Sequence, residues 1–324
     1  MNTSVLLPKV RHFLKLSDFS PAELRGLINR AIELKQRHDP AYQPLFGQTL
    51  AMLFGKSSTR TRVSFEVAMV HLGGHALFLS PDDMQLGRGE PLADTARVLS
   101  SMCNAIMVRN NSQGDQEQIA RYSRVPVING LSDRHHPCQM LADIQTFCEQ
   151  RGDIQNKTVA WFGDGNNVCN SWIEAARLFN FKLRIACPEG YEPGKNLLTA
   201  AGANAELVRD PRFAAESADL LVTDVWTSMG QEDDKDARHA ALQPFQVNSL
   251  LMGMAKPNAL FMHCLPAHRG EEVTADVIDG RQSVVWQEAE NRLHAQKALL
   301  EFLLKPAKDT SQMTLTGQWK SPLA

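Results

Sequence analysis

Nowhere does this sequence hold an apolar run long enough to span a bilayer. Its first stretch, MNTSVLLPKVRHFLKL, is interrupted by Pro8 and Lys9 too early to form a signal-peptide core. No membrane partner is expected, and the cytoplasm is the expected compartment. Excess charge is missing too: a net charge of -2 supplies no extended field for nucleic acid, so any anion site must be local. The six cysteines, Cys103, Cys138, Cys148, Cys169, Cys187 and Cys264, include no C-x-x-C pair and fall mostly inside patterned segments. That argues against disulfides and structural zinc, and for reduced thiols. Internal repeats are absent. The polar stretch from Lys305 to Ala324 loses periodicity and is expected to be a loosely held tail.

What is present starts with length: 324 residues suit two domains of about 150 residues better than one core. The organising stretch runs from Phe54 to Glu66, FGKSSTRTRVSFE. Leu50 to Phe54 reads as a buried strand, and the Ser/Thr cluster after it leads into a helix carrying Val63, Phe65, Val67, Met69 and Val70. This succession points the free N–H groups of the first helical turn, several hydroxyls and at least one guanidinium at one spot, where the helix dipole also favours negative charge. It suits a phosphate-sized anion. The plainer alternative is an N-capped helix with solvated arginines. Two arginines and four hydroxyls between Ser57 and Arg62 favour the anion.

Earlier in the chain, Ser20-Pro21-Ala22-Glu23 predicts a helix from Pro21 to about Arg37 with Ser20 as N-cap. Phe46 to Phe54 brings the first strand. Gly73 and Gly74 end the following helix, and His75 to Leu79 is a second strand, parallel to the first by default. The glycine-bearing loop 82–90 holds Gln85 and Arg88 and is long enough to reach a site in this subunit or a neighbour. A helix from about Pro91 leads to a strand at Ala105 to Arg109, and Val125 to Asn129 is a fourth. Ligand groups in parallel sheets gather at the carboxyl ends of strands, which places Arg60, Arg109 and the residues after Asn129 at one edge. There His136 precedes Pro137, which suits the first position of a helix, and Gln139 follows one turn on. A neutral imidazole and a primary amide can polarise a carbonyl. Taken alone, the pair reads more simply as a capping histidine and a solvated glutamine.

A second α/β pattern follows: strand and glycine turn over 157–168, a helix from Cys169 to Phe179, and a strand from Lys182 to Ala186. It opens like a dinucleotide-binding unit with Glu189 at ribose distance, but Val168 replaces the third glycine and two asparagines fill the turn. A nicotinamide cofactor is not expected. Later strands, Leu220 to Trp226 and Ala259 to Pro266, end in polar or reactive groups. His71 and His75 have the spacing of helical metal ligands, but Gly73 and Gly74 break that helix. Cys264 and His263, adjacent on a strand, face opposite ways, so a thiol nucleophile would need a base from elsewhere.

Four elements in order, Ser58-Thr59-Arg60-Thr61-Arg62, His136-Pro137-Cys138-Gln139, Asp224-Val225-Trp226-Thr227-Ser228-Met229-Gly230 and His263-Cys264-Leu265-Pro266, resemble the four signatures of the aspartate/ornithine carbamoyltransferase family. The last two resemble its ornithine branch, and His268 and Arg269 resemble the biosynthetic bacterial form of that loop. The similarity runs from about Phe13 to Leu304. The resemblance implies an α/β fold of two doubly wound parallel-sheet domains joined by interdomain helices: a carbamoyl-phosphate-binding domain over 1–148, an ornithine-binding domain over 149–291, and over 292–324 a helix packing back on the first domain, then the tail.

It further implies that Ser58, Thr59, Arg60, Thr61, Arg109, His136, Gln139, Cys264, Leu265 and Arg292 hold carbamoyl phosphate, with Gln85 reaching across a subunit boundary. Asn167, Asp224, Ser228 and Met229 would hold L-ornithine, and Arg60, Arg109, His136, Gln139 and Cys264 would carry the catalysis. The implied reaction moves the carbamoyl group to the δ-amine of ornithine, giving citrulline and phosphate for arginine biosynthesis. A related amine, N-acetylornithine or putrescine, is the alternative acceptor; a dehydrogenase-like or non-catalytic binding protein is a more distant one. The family implies trimers or multiples of trimers with sites at subunit interfaces, and no metal or organic cofactor.

Overall fold

The computed structural model describes residues 10–37, 39–80, 84–85, 89–227 and 235–305. Arg88, Ser228, Met229 and the tail beyond Lys305 lie outside them. The chain opens with α1 (Pro21–Gln36), and the first sheet unit is β1 (Thr49–Phe54), α2 (Thr59–His71), β2 (His75–Leu79), α3 (Leu92–Met102), β3 (Ala105–Arg109), α4 (Gln113–Tyr122), β4 (Val127–Leu131) and α5 (Pro137–Arg151). The second is β5 (Thr158–Phe162), α6 (Asn167–Phe179), β6 (Lys182–Ala186), α7 (Lys195–Ala201), β7 (Ala205–Val208), α8 (Pro211–Ala215), β8 (Leu220–Thr223), α9 (Lys235–Leu242), α10 (Ser249–Met254), β9 (Leu260–His263) and α11 (Ala275–Ile278). A long helix, α12 (Val285–Leu304), ends the described chain. None of these helices is long and apolar enough to cross a membrane.

The start of α1 follows from four residues. The Ser20 hydroxyl accepts the Glu23 N–H, the Glu23 carboxylate accepts the Ser20 N–H at 2.9 Å, and Pro21 takes the position where a missing N–H costs nothing. Several strands depart from expectation for local reasons. β1 begins at Thr49 and not at Phe46, because Phe46 is exposed and Gly47 turns the chain at φ 74°. β4 begins after Pro126, which has no N–H for the ladder. β8 stops at Thr223, where the Asp224 carboxylate takes the Val225 N–H at 2.8 Å, and β9 stops at His263, just before Leu265 at φ 59°. Asp224, Cys264 and Leu265 therefore stand in loops beyond the strand ends.

Both sheets are parallel, ordered β2-β1-β3-β4 and β7-β6-β5-β8-β9. In each, the chain starts near the middle, winds to one edge, then returns to build the other. The order thus reverses between β1 and β3 and between β5 and β8, and the loops leaving these strands part to form a crevice. Residue parity supplies the two buried faces this requires. In β1, Leu50, Met52 and Phe54 enter one apolar cluster while Ala51 and Leu53 enter another; in β5, Val159 and Trp161 part in the same way from Ala160 and Phe162. The cluster holding Leu50 and Trp161 is continuous across both sheets through α5, α6 and α12. α12 packs on α5, α1 and α2, returning the end of the described chain to the first sheet unit. This helix spans the 291/292 division expected from the sequence.

Candidate active site

A cleft of about 1200 Å³ lies between the carboxyl ends of the two sheets. Its first wall begins at the turn after β1, where Ser58 caps α2 by accepting the Thr61 N–H at 3.3 Å. β3 ends in Arg109, and α12 delivers Arg292. Both guanidiniums donate to the Thr61 hydroxyl oxygen at 3.3 Å, and the Ser58 hydroxyl reaches the same oxygen at 3.1 Å. Arg60 crosses the cleft to the Leu265 carbonyl at 2.5 Å. Nε of Arg109, Nε of Arg292 and Nδ1 of His136 are buried and have no hydrogen-bond partner among the described residues. Burial, then the charges of Arg292 and Arg60, holds the Arg109 guanidinium down to about 10. Burial and the same arginine cluster push His136 well below the usual histidine value, so its imidazole is neutral at pH 7.

The second wall is a chain of hydrogen bonds. Asn166 caps α6 by accepting the N–H groups of Val168 and Cys169, and its amide donates to Asp224 at 2.8 Å. The Cys264 thiol donates to Asp224 at 3.1 Å. Burial first, then the adjacent Asp224, pushes this thiol well above its usual value and keeps it a neutral S–H donor. His263 accepts the Leu265 N–H on Nδ1 at 2.9 Å, which leaves its proton on Nε2, 3.0 Å from Glu272. Arg238 from α9 pairs with Asp164 and donates to the Trp226 carbonyl at 2.8 Å. In the turn after β5, a Cβ on Gly165 would sit 2.2 Å from the Pro193 nitrogen. That glycine serves close packing on a neighbouring loop, which explains a glycine turn without a dinucleotide signature. Besides Arg60, other bonds tie the walls together: Asn167 donates to the Ser132 carbonyl at 2.9 Å, and the His136 N–H donates to Ser171 at 2.8 Å.

Comparison with known proteins decides what this cleft belongs to. Residues 11–149 match the profile described as aspartate/ornithine carbamoyltransferase, carbamoyl-P binding domain, and residues 155–303 match the Asp/Orn binding domain of the same enzymes. The chain belongs to the aspartate/ornithine carbamoyltransferase family. A protein of Methylococcus capsulatus named ornithine carbamoyltransferase is 62% identical over 296 residues, covering 91% of this chain and 99% of that one. One of Pseudomonas aeruginosa, named anabolic ornithine carbamoyltransferase, is 58% identical over 300 residues, covering 92% and 98%. The solved ornithine carbamoyltransferase of Pyrococcus furiosus superposes with a TM-score of 0.86 at 50% identity, covering 92% of this chain and 99% of that one.

Of the residues expected from the family signatures, Ser58, Thr59, Arg60, Thr61, Arg109, His136, Cys264, Leu265 and Arg292 line this one cleft, together with Asn167 and Asp224. Gln139 stands behind them. It is not among the lining residues: its amide nitrogen donates to Asp143 at 2.8 Å and Glu288 at 2.9 Å, and its oxygen accepts from Arg292 at 2.6 Å. With every group engaged, Gln139 holds Arg292 and has no free N–H to offer a carbonyl. Gln85 is exposed and does not line the cleft of its own chain. Ser228 and Met229 fall outside the described residues.

Reading the sequence missed Asn166, the Arg238–Asp164 pair and the Asp143–Glu288 pair. Only Asn166 left a local signal, as an N-cap residue before an apolar helix. Two groups, Asp224 with His263 and Cys264, and His268 with Glu271 and Glu272, bring possible metal-ligand atoms within 4.8 Å. In the first of these, both ring nitrogens of His263 are already engaged, one with the Leu265 N–H and one with Glu272.

Proposed function

We propose that the protein transfers the carbamoyl group of carbamoyl phosphate to the δ-amine of L-ornithine, giving L-citrulline and phosphate in arginine biosynthesis. The observation that carries this reading is the convergence of Arg60, Arg109 and Arg292 on a helix N-terminus, with buried donors to spare, across a cleft from Asp224 and Cys264. The phosphate takes the hydroxyls and first-turn N–H groups of α2 and the three guanidiniums, charge-assisted contacts that also stabilise it as the leaving group. Neutral His136 donates to the carbamoyl oxygen, where negative charge develops. As phosphate claims Arg60, the Leu265 carbonyl is released to receive an N–H of the attacking amine.

Asp224 holds a substrate ammonium, Asn167 with Ser228 and Met229 holds the amino-acid end, and Cys264 orients the nucleophilic nitrogen. An alkylamine is protonated at neutral pH, so the reactive species is the minor neutral form, and its second proton leaves with phosphate or to solvent. Two substrates fixed by two lobes supply the rest through proximity.

On this reading residues 1–148 bind carbamoyl phosphate, residues 149–291 bind ornithine, and the segment from 292 returns a cation to the first domain. The assembly is a homotrimer, or a multiple of one, in the cytoplasm. Support for copies meeting at the first domain comes from Val63, Val70, Leu77, Val98 and Met102, exposed on α2, the edge strand β2 and α3. Gln85 then enters a neighbour's site. Parallel assays of citrulline-type product with ornithine, N-acetylornithine, putrescine and aspartate test the reading. Ornithine should be used far faster than the others, and a faster reaction with any of them would overturn the assignment. Sedimentation of a fully active monomer would overturn the assembly.

A further inference from the structure

Behind the anion wall, Asp143 of α5 and Glu288 of α12 sit side by side, both 1% exposed and hydrogen-bonded to each other. Glu288 receives an N–H on each oxygen: the Gln139 amide on Oε1 and the His263 backbone on Oε2, both at 2.9 Å. Asp143 receives the other Gln139 N–H on Oδ1 at 2.8 Å. Of the four carboxyl oxygens, Oδ2 of Asp143 is the one with no N–H donor among the described residues. Two touching carboxylates in a buried site cannot both be charged, so one proton must be shared; an N–H on each oxygen favours Glu288 as the anion and Oδ2 of Asp143 as the proton's carrier.

We propose that Asp143 is held as a neutral carboxylic acid donating to ionised Glu288, and that this pair is a positioning device for both walls of the site. Toward the first wall, the two carboxyl groups claim both N–H groups of Gln139, which forces its oxygen onto Nη1 of Arg292 and aims that guanidinium at Thr61. Toward the second, Glu288 anchors the end of β9, one residue before Cys264. Burial drives both carboxyls above the ordinary range; their mutual contact taken alone would lower Asp143 and raise Glu288, and it is the N–H on each Glu288 oxygen that opposes this and favours Glu288 as the anion. The charged or titratable groups facing the pair are Arg292 on α12, Asp224 after β8, and Cys264 after β9. The net single negative charge therefore lies beside one guanidinium, and a second would be added next to Asp224.

The two carboxyls differ in what an amide can replace. Asp143→Asn keeps an acceptor toward Gln139 and supplies a donor toward Glu288, reproducing the protonated acid. Glu288→Gln places an NH2 against the Gln139 amide or the His263 N–H, where no acceptor remains.

The inference rests on the proposed carbamoyl transfer only for its kinetic arm. Infrared difference spectra of the whole protein at neutral pH should show a protonated carboxylic-acid band that Asp143→Asn removes. Asp143→Asn should retain kcat and both KM values within about threefold, whereas Glu288→Gln should lose about tenfold to a hundredfold in kcat/KM for carbamoyl phosphate, the factor for one unsatisfied buried group. Absence of the band in the unmodified protein, its survival in Asp143→Asn, or a loss in Asp143→Asn as large as in Glu288→Gln would overturn the pair. If Glu288→Gln does not fold, the band and the kinetics of Asp143→Asn still decide. An unmodified protein with the expected band and no citrulline formation would count against the reaction and leave the pair standing.

Discussion

The two walls of the cleft are built on different physical plans. On the first, Arg109 of β3 and Arg292 of α12 meet on one hydroxyl of α2 beside Arg60, and their spare donors are buried. On the second, neutral or singly charged groups pass hydrogen bonds along a line from Asn166 through Asp224 to Cys264, all in loops. A dianion demands strong fixed charge, and parallel-sheet strand ends with a helix N-terminus provide it without adjustment. A flexible diamine demands discrimination by length and by which nitrogen is neutral, and hydrogen-bonded loops can set those distances finely. On the proposed reading, the first wall supplies affinity and leaving-group stabilisation, while the second supplies selectivity.

The largest test of that contrast is Arg60→Gly. It removes a charge from the first wall and the link to Leu265, and should lower kcat about a thousandfold while leaving thermal stability intact, as for loss of a transition-state donor. Near-normal turnover at saturating carbamoyl phosphate would erase the distinction. Cys264→Ser acts on the second wall and should cost about tenfold in kcat/KM for ornithine, with little change in KM for carbamoyl phosphate. At limiting ornithine, turnover of both proteins should rise about tenfold per pH unit in the neutral range, because the neutral amine fraction grows at that rate below its pKa. The thiol, held above its usual value, stays protonated throughout that range and adds no slope. A carbamoyl increment on Cys264, formed at a kinetically competent rate, would replace direct transfer by a covalent route.

Gly165→Ala sharpens the comparison from the backbone. The added Cβ collides with the Pro193 nitrogen at 2.2 Å, and overpacking of this kind costs about 1–3 kcal/mol. KM for ornithine should rise several-fold as the second wall shifts, with phosphate binding to the first wall unchanged by calorimetry; equal losses on both walls would show them to be one unit. The smallest effect belongs to Ser20→Ala, far from either wall. Loss of its cap should cost about 1 kcal/mol of stability and nothing in kinetics. A change in either KM would mean that α1 communicates with the cleft.

Legibility in the sequence followed the same division. The first wall was readable because its signals are local: an apolar strand, a hydroxyl turn, Arg109 at a strand end and Pro137 opening a helix. α4 was not seen, since Gln113 to Tyr122 carries Ile119 as its one large aliphatic residue, and its true signal was the Ser112 cap accepting the Asp115 N–H. β7 is four residues long and half-exposed, too short to alternate visibly. The partners of Gln139, Glu288 and Arg292, were not seen because they are about 150 positions away and nothing nearby in sequence marks them. The Gly163-x-Gly165 turn was rejected as a dinucleotide site but left without a reason, because the contact that requires Gly165 is with Pro193, about thirty positions away.

The return of α12 to the first lobe fixes an order of events during synthesis. A ribosome releases the hydroxyl turn, Arg109 and His136 well before Arg292 exists, so the emerging first lobe carries an anion seat with two of its three arginines. The apolar sides of α1, α2 and α5 that α12 covers remain uncovered over the same interval, the period in which exposed apolar surface invites misassembly. Translation of residues 285–304 closes that surface and supplies the third cation in one event, so that quality of fold and the proposed competence for anion binding are reached together.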